Sequence, residues 1–136
     1  MSYGRAQARY AGDAAQTVSP ARLLTMLWDR AVNDLATAEE AMRRGDVATT
    51  GERIGRAQEI LLELHGTLDT SVWPEGESLA ALYLWVVNEL MQARVRKAPE
   101  QVAQCRVLLE PLRDAWHEAA RGTGGTTLAS GIDGAA

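Results

Sequence analysis

Residues 99–122 read PEQVAQCRVLLEPLRDAWHEAARG. Within them Val102, Cys105, Leu109, Leu112, Trp116 and Ala119 recur at alternating steps of three and four, the spacing that keeps side chains on one face of a helix. Pro99 suits the first turn, where the amide hydrogen it lacks would go unused, and Gly122 suits a helix end. This stretch predicts one long amphipathic helix with a single apolar stripe.

Reading outward, the same stripe recurs three more times. Ser19 followed by Pro20 starts a helix over about 20–43, with Leu24, Trp28, Ala31, Leu35, Ala38 and Met42 on one face and Gly45 as its stop. Asp46 caps a second helix carrying Ile54, Ala57, Leu61, Leu64 and Leu68, which should end near Asp69 or Thr70. Ser71 to Gly76 holds the breakers of a connection, and Trp73 before Pro74 is biased toward extended backbone. A third helix, from about Glu77 or Ser78, carries Leu79, Tyr83, Val86, Leu90 and Ala93, with Leu82 and Trp85 beside that face.

Short connections make consecutive helices antiparallel neighbours, so the expected fold is all-α, an antiparallel up-down four-helix bundle. It should occupy residues 19–121, after a flexible N-terminal arm over 1–18 that contains Tyr3 and Tyr10. Residues 122–136, with Gly122, Gly124, Gly125, Gly131 and Gly134, lack a periodic apolar pattern and are expected to be a disordered tail.

A chain of 136 residues, 46% hydrophobic and 24% charged, has the size and make-up of one globular domain. Its formal charge of -4 argues against nucleic acid as the main partner, since phosphates need an excess of Lys and Arg. Arg5 with Arg9, and Arg94 with Arg96 and Lys97, read as solvated surface. No stretch reaches the roughly 18 apolar residues of a membrane span, and none resembles a signal peptide, so a cytoplasmic protein without membrane insertion is expected. The single cysteine, Cys105, falls on the apolar stripe and reads as a packing residue rather than a reactive thiolate.

Catalytic chemistry is not legible. A di-metal bundle site needs inward carboxylates and paired Glu-x-x-His motifs, whereas this chain offers only His65 and His117, with Asp114 three residues before the latter. A surface histidine near a helix end, favoured there by the helix dipole, accounts for that spacing. No Gly-rich phosphate loop precedes a helix, and no nucleophile has a base in its local context. The reading is therefore a non-enzyme without a cofactor or metal. Two binding classes remain open: a chaperone whose grooves hold an apolar segment of another chain, and a bundle that self-associates as a structural or assembly module. The apolar breadth around Leu79, Leu82, Tyr83 and Trp85 suits the first, while on periodicity alone a generous core explains it as well.

The ordered set of local patterns resembles the FliS family of flagellar export chaperones from Tyr10 to about Ala119. The resemblance rests on Ser19-Pro20 before Leu23-Leu24 and Leu27-Trp28, on the run from Arg56 to Leu64 leading to Leu68-Asp69, on Leu79 with Leu82-Tyr83, and on Leu112 to Trp116. Two positions depart from the pattern. Trp28 and Trp85 stand where tyrosines are common, keeping an aromatic ring without its phenolic hydroxyl.

The resemblance implies a chaperone of the bacterial cytosol that binds the disordered C-terminal segment of flagellin, prevents its premature polymerisation, and presents it to the cytoplasmic domain of the flagellar type III export gate. It implies a monomer or weak homodimer that needs no nucleotide. On this reading Tyr10 belongs to an arm that can cover the groove. Ala57, Leu61, Leu64 and Leu68 on the second helix, with Leu79, Leu82, Tyr83 and Val86 on the third, are candidates for the groove floor. The pattern does not separate groove residues from internal core among them.

Overall fold

In a computed structural model of the chain, residues 19–71 and 74–122 are described. The expected arm over 1–18 and the glycine-rich residues from 123 onward lie outside them, as do Val72 and Trp73. Ser19 caps the first helix, its hydroxyl accepting the Arg22 N–H at 3.2 Å, and Pro20 opens it. This helix, α1 (Pro20–Arg44), ends on Gly45 at φ +78, whose N–H closes back on the carbonyls of Ala41 and Met42. Asp46 then caps α2 (Val47–Thr67), accepting the Thr49 N–H at 3.1 Å. Two residues thus reverse the chain.

Helix α2 stops sooner than its stripe predicts. Thr67 donates its hydroxyl to the Leu64 carbonyl at 2.7 Å, and Leu68 turns extended while keeping its side chain against the core. Helix α3 (Gly76–Arg96) begins at Gly76, just ahead of the expected Glu77. It closes on Lys97, a non-glycine residue at φ +54, whose N–H bonds the Ala93 and Arg94 carbonyls. Helix α4 (Pro99–Ala120) starts at Pro99 and runs through Pro111, which cannot supply the amide hydrogen that the Val107 carbonyl would otherwise accept.

The helices form a ring in chain order, α1 beside α2 and α4, and α3 completing the square with lighter packing on both sides. Polar contacts fix the directions. Arg43 near the end of α1 meets Glu100 at the start of α4, Arg106 meets Glu39, and His117 near the end of α4 meets Asp29 near the start of α1. Gln58 of α2 donates to the Val87 carbonyl of α3 at 3.0 Å, and Gln101 of α4 donates to the Glu89 side chain at 2.9 Å. Adjacent helices therefore run antiparallel, as expected of an all-α up-down bundle.

The four stripes meet inside. Trp28, Leu35, Ile54, Leu61, Tyr83, Val86, Leu90, Val102 and Leu109 are sealed from solvent. Cys105 packs among them; burial, then the nearby Glu89 charge, pushes its thiol pKa up to about 11, so the thiol stays protonated. One charge is also buried. Asp34 of α1 is 0% exposed and receives both Nε and Nη2 of Arg56 at 2.9 and 2.7 Å, with Arg53 Nη1 at 3.1 Å. The two arginines keep partial contact with water, so each charge of this α1–α2 lock is answered.

Candidate functional site

Helix α3 positions the candidate surface. Its inward row, Tyr83, Val86, Leu90 and Ala93, is consumed by the core, yet Leu84, Trp85, Met91 and Val95 on the same helix are about half exposed or more. A solvated face should be polar, so a row of large apolar side chains on the least covered helix marks a surface suited to a partner.

The two glutamine contacts show which way each residue lies. Glu89 marks the side of α3 toward α4, and Trp85, one turn earlier, shares that side, with Leu82 a further turn back. On α4, Gln101 marks the facing side, and Leu108 lies two turns later with Leu112 one turn beyond it. Trp85 is 49% and Leu108 43% exposed, while Leu82 and Leu112 are half-buried at the base of this seam. Pro111, one turn after Leu108, adjoins it.

Across α3 a second seam faces α2. Val87, whose carbonyl takes the Gln58 amide, marks that side, and Leu84 and Met91 lie a turn to either side of it. On α2 the matching residues are Leu62, one turn after Gln58, and Gly55, one turn before. A side chain at Gly55 would meet nothing within 4 Å, so the glycine leaves an open notch. Gly51, a turn earlier, is instead roofed by the Arg94 guanidinium, 2.5 Å from where a Cβ would stand. Helix α3 thus carries an apolar flank on each side. Such a surface offers broad, non-directional contact to the apolar face of a helix, with few polar groups to fix one sequence.

The sequence matches the family model described as flagellar protein FliS over residues 2–123. The chain belongs to the FliS family. Similar proteins include three flagellar secretion chaperones FliS. That of Vibrio cholerae is 27% identical over 74% of each chain, and that of Bacillus subtilis 26% identical over 81% of this chain and 82% of its own. That of Salmonella typhimurium is 30% identical over 77% of this chain and 79% of its own. Membership in the FliS family supports a chaperone role for this bundle.

Within this FliS fold, the residues expected on a groove floor divide. Ala57, Leu61 and Leu64 on α2, with Tyr83 and Val86 on α3, lie inside the core and present no groove in this conformation. Leu68, Leu79 and Leu82 are half-buried, packing inward while keeping some surface. Tyr10 lies outside the described residues. Tyr83 is closed in by the Trp28 ring and the Trp116 indole, and burial raises its hydroxyl well above the ordinary tyrosine range. Leu84, Met91, Val95 and Leu108 escaped the sequence reading because they fall off the inward stripe. Trp85 did signal the surface, as an aromatic residue beside that stripe.

One polar reading also changes. His117 pairs across helices with Asp29 at 2.7 Å, while Asp114, its expected neighbour, takes Arg113. The Asp34 lock had no sequence signal beyond a carboxylate adjoining an apolar stripe position and two arginines three residues apart.

Proposed function

We propose that this chain binds the C-terminal segment of flagellin along the two apolar flanks of α3. It keeps that segment from polymerising and presents it to the flagellar type III export gate from the bacterial cytosol. The observation that carries this reading is the exposed row Leu84, Trp85, Met91 and Val95 on the helix with the lightest packing, in a chain of the FliS family. A filament-forming helix must bury one apolar face. A chaperone that offers an equivalent apolar surface satisfies that need before assembly, with no bond made or broken. Residues 19–121 are the chaperone body in this proposal, and Leu68, Leu79 and Leu82 contribute at the edges of the surface. Tyr10, on the segment preceding Ser19, acts as a cover displaced by client. Ala57, Leu61, Leu64, Tyr83 and Val86 act from beneath, setting the shape of the helices that carry the surface.

Ordering a disordered segment costs roughly 2–5 kcal/mol or more of the gross interaction, so binding rests on wide apolar contact and carries a negative heat-capacity change. Titration calorimetry and circular dichroism with the C-terminal peptide of the flagellin encoded in the same genome test this directly. One-to-one binding with a gain of peptide helicity is expected. Absence of binding at micromolar concentration, together with a concentration-dependent oligomer, would favour self-association as the use of the same surface.

A further inference from the structure

The α2–α3 flank has a definite register. Gln58 donates to the Val87 carbonyl, and seven residues away on each helix the Arg94 guanidinium lies over Gly51. Antiparallel packing between those two pairings sets Gly55 level with Met91, and one turn beyond Gln58 it sets Leu62 level with Leu84. From Leu62 to Gly51 the flank runs for about 16 Å, three turns of helix, and it ends in the charge of Arg94. We propose that Arg94 caps the carboxyl end of a client helix seated on this flank and so fixes the direction in which the segment lies. This rests on the reading that the flanks of α3 seat the flagellin segment.

Arg94 is placed unlike an ordinary solvated arginine. It is exposed, yet its guanidinium crosses from α3 onto α2, and it can do so because residue 51 has no Cβ to collide with Nη2 and Cζ. No carboxylate draws it across. Arg94 makes no hydrogen bond or ion pair among the described residues, and Glu52, the acid next to Gly51, lies 3.6 Å from Arg53. Its guanidinium donors are therefore available to a ligand. Other cations at this end of the bundle differ. Arg43 pairs with Glu39 and Glu100, Arg44 pairs with Asp46, and Arg96 lies on the α4 side of α3, two turns after Glu89.

A helix laid on an apolar surface buries one face, but its last carbonyls have no partner within the helix, and its carboxyl end carries the negative pole of the dipole. A guanidinium with free donors at the end of the flank answers both needs. At the other end of the same side, Glu77 stands in the first turn of α3, two turns before Leu84, where the amino end of the client helix would bring its positive pole. The two charges select one direction: amino end toward Glu77 and carboxyl end at Arg94, parallel to α3 and antiparallel to α2. The dipole of α3 itself accounts for Glu77. It does not account for a guanidinium laid across α2 near that helix's own positive pole.

The test uses the full chain, its amides followed by NMR, and a flagellin C-terminal peptide carrying a nitroxide at one end or the other of the helix it forms. The carboxyl-end label should broaden the signals of Val47 and Val95, and the amino-end label those of Ala80 and Leu84. Arg94→Gln should weaken the peptide about fivefold, as loss of a charged cap at a helix end does. Arg96→Gln removes the same charge from the α4 side and should leave affinity unchanged. Gly51→Ala places a better helix former in α2 and lifts the guanidinium, so adding it to Arg94→Gln should cause no further loss. The reversed broadening pattern, broadening confined to the α3–α4 seam around Leu108, unchanged affinity in Arg94→Gln, or an equal loss in Arg96→Gln would each overturn the cap. Absence of any binding by the parent would overturn the flagellin surface itself, so the two failures are distinguishable.

Discussion

The indole of Trp28 on α1 meets the ring of Tyr83 on α3 edge to face, centroids 5.7 Å apart and planes inclined at 62°. The two helices are diagonal partners in the ring, so this contact ties opposite corners through the middle of the bundle. Helix α3 can therefore be lightly packed on its flanks without being loose. Its inward face is fixed by an aromatic pair whose geometry suits the ring quadrupoles, and its sides by the Gln58 and Gln101 contacts. An exposed apolar flank is tolerable on a helix held this way.

The Trp28 indole N–H is buried and has no hydrogen-bond partner among the described residues. A buried donor left unpaired costs about 1–3 kcal/mol, which offsets part of what the large ring contributes. Trp28→Ala should cost about 3–5 kcal/mol by opening a cavity at the centre. Trp28→Phe, which shortens the ring but removes the unpaired donor, should cost less than about 2 kcal/mol. Urea unfolding followed by circular dichroism checks both. Equal losses for the two substitutions would mean that the indole N–H finds a partner in solution.

Asp34 gives an ordering that runs against charge counting. Asp34→Asn removes the buried charge and leaves two arginines that water can reach, so the loss should be about 1–3 kcal/mol, below that for stranding a fully buried ion. Arg56→Met leaves the carboxylate at 0% exposure with Arg53 alone and should lower the urea midpoint further than Asp34→Asn does. The reverse order would place the cost on the arginines instead of the buried carboxylate.

Asp46 makes a pH-dependent contribution whose sign follows from its contacts. Hydrogen bonding to Thr49 at the start of α2, with the Arg44 charge as a smaller cause, lowers its pKa below the ordinary carboxylate value. A carboxylate with a lowered folded pKa adds stability that is complete above the unfolded pKa and fades as pH falls through the folded one. Asp46→Ala should therefore unfold at lower urea than the parent at pH 7, with the gap shrinking as the medium is acidified below pH 4, near the ordinary carboxylate range. A gap constant from pH 7 to pH 3 would assign the loss to helix propensity instead.

Periodicity made the inward faces legible, because a six-residue stripe such as Val102 to Ala119 has one solution in a helix. Caps were legible where chemistry is local: Ser19, Pro20, Gly45 and Asp46 act within a turn of themselves. The end of α2 was misplaced because the stripe continues through Leu68 while the backbone departs from the helix at that residue, so pattern and conformation separate. Groove and core were inseparable for a related reason. Ala57 and Leu64 share a face with Leu68, and only the packing of neighbouring helices decides how much of each remains open. The contact of His117 with Asp29 joins residues far apart in the chain, whose meeting depends on ring order.

That division redirects mutagenesis of the client surface. Leu64 is 3% exposed, so Leu64→Asp places a charge in the core and should unfold the protein rather than report on binding. Trp85 and Leu108 are exposed on facing sides of the α3–α4 seam, and truncating them should change stability by no more than about 0.5 kcal/mol. A large aromatic at the centre of an apolar contact is the kind of residue whose loss costs more than about 1 kcal/mol in binding. Trp85→Ala should therefore weaken the flagellin peptide about fivefold or more, and Leu108→Ala should weaken it less. Calorimetric titration alongside urea unfolding separates the two effects. Unchanged affinity in the doubly truncated variant, with folding intact, would remove the α3–α4 seam from the binding surface and leave the Leu62, Leu84 and Met91 flank as its seat.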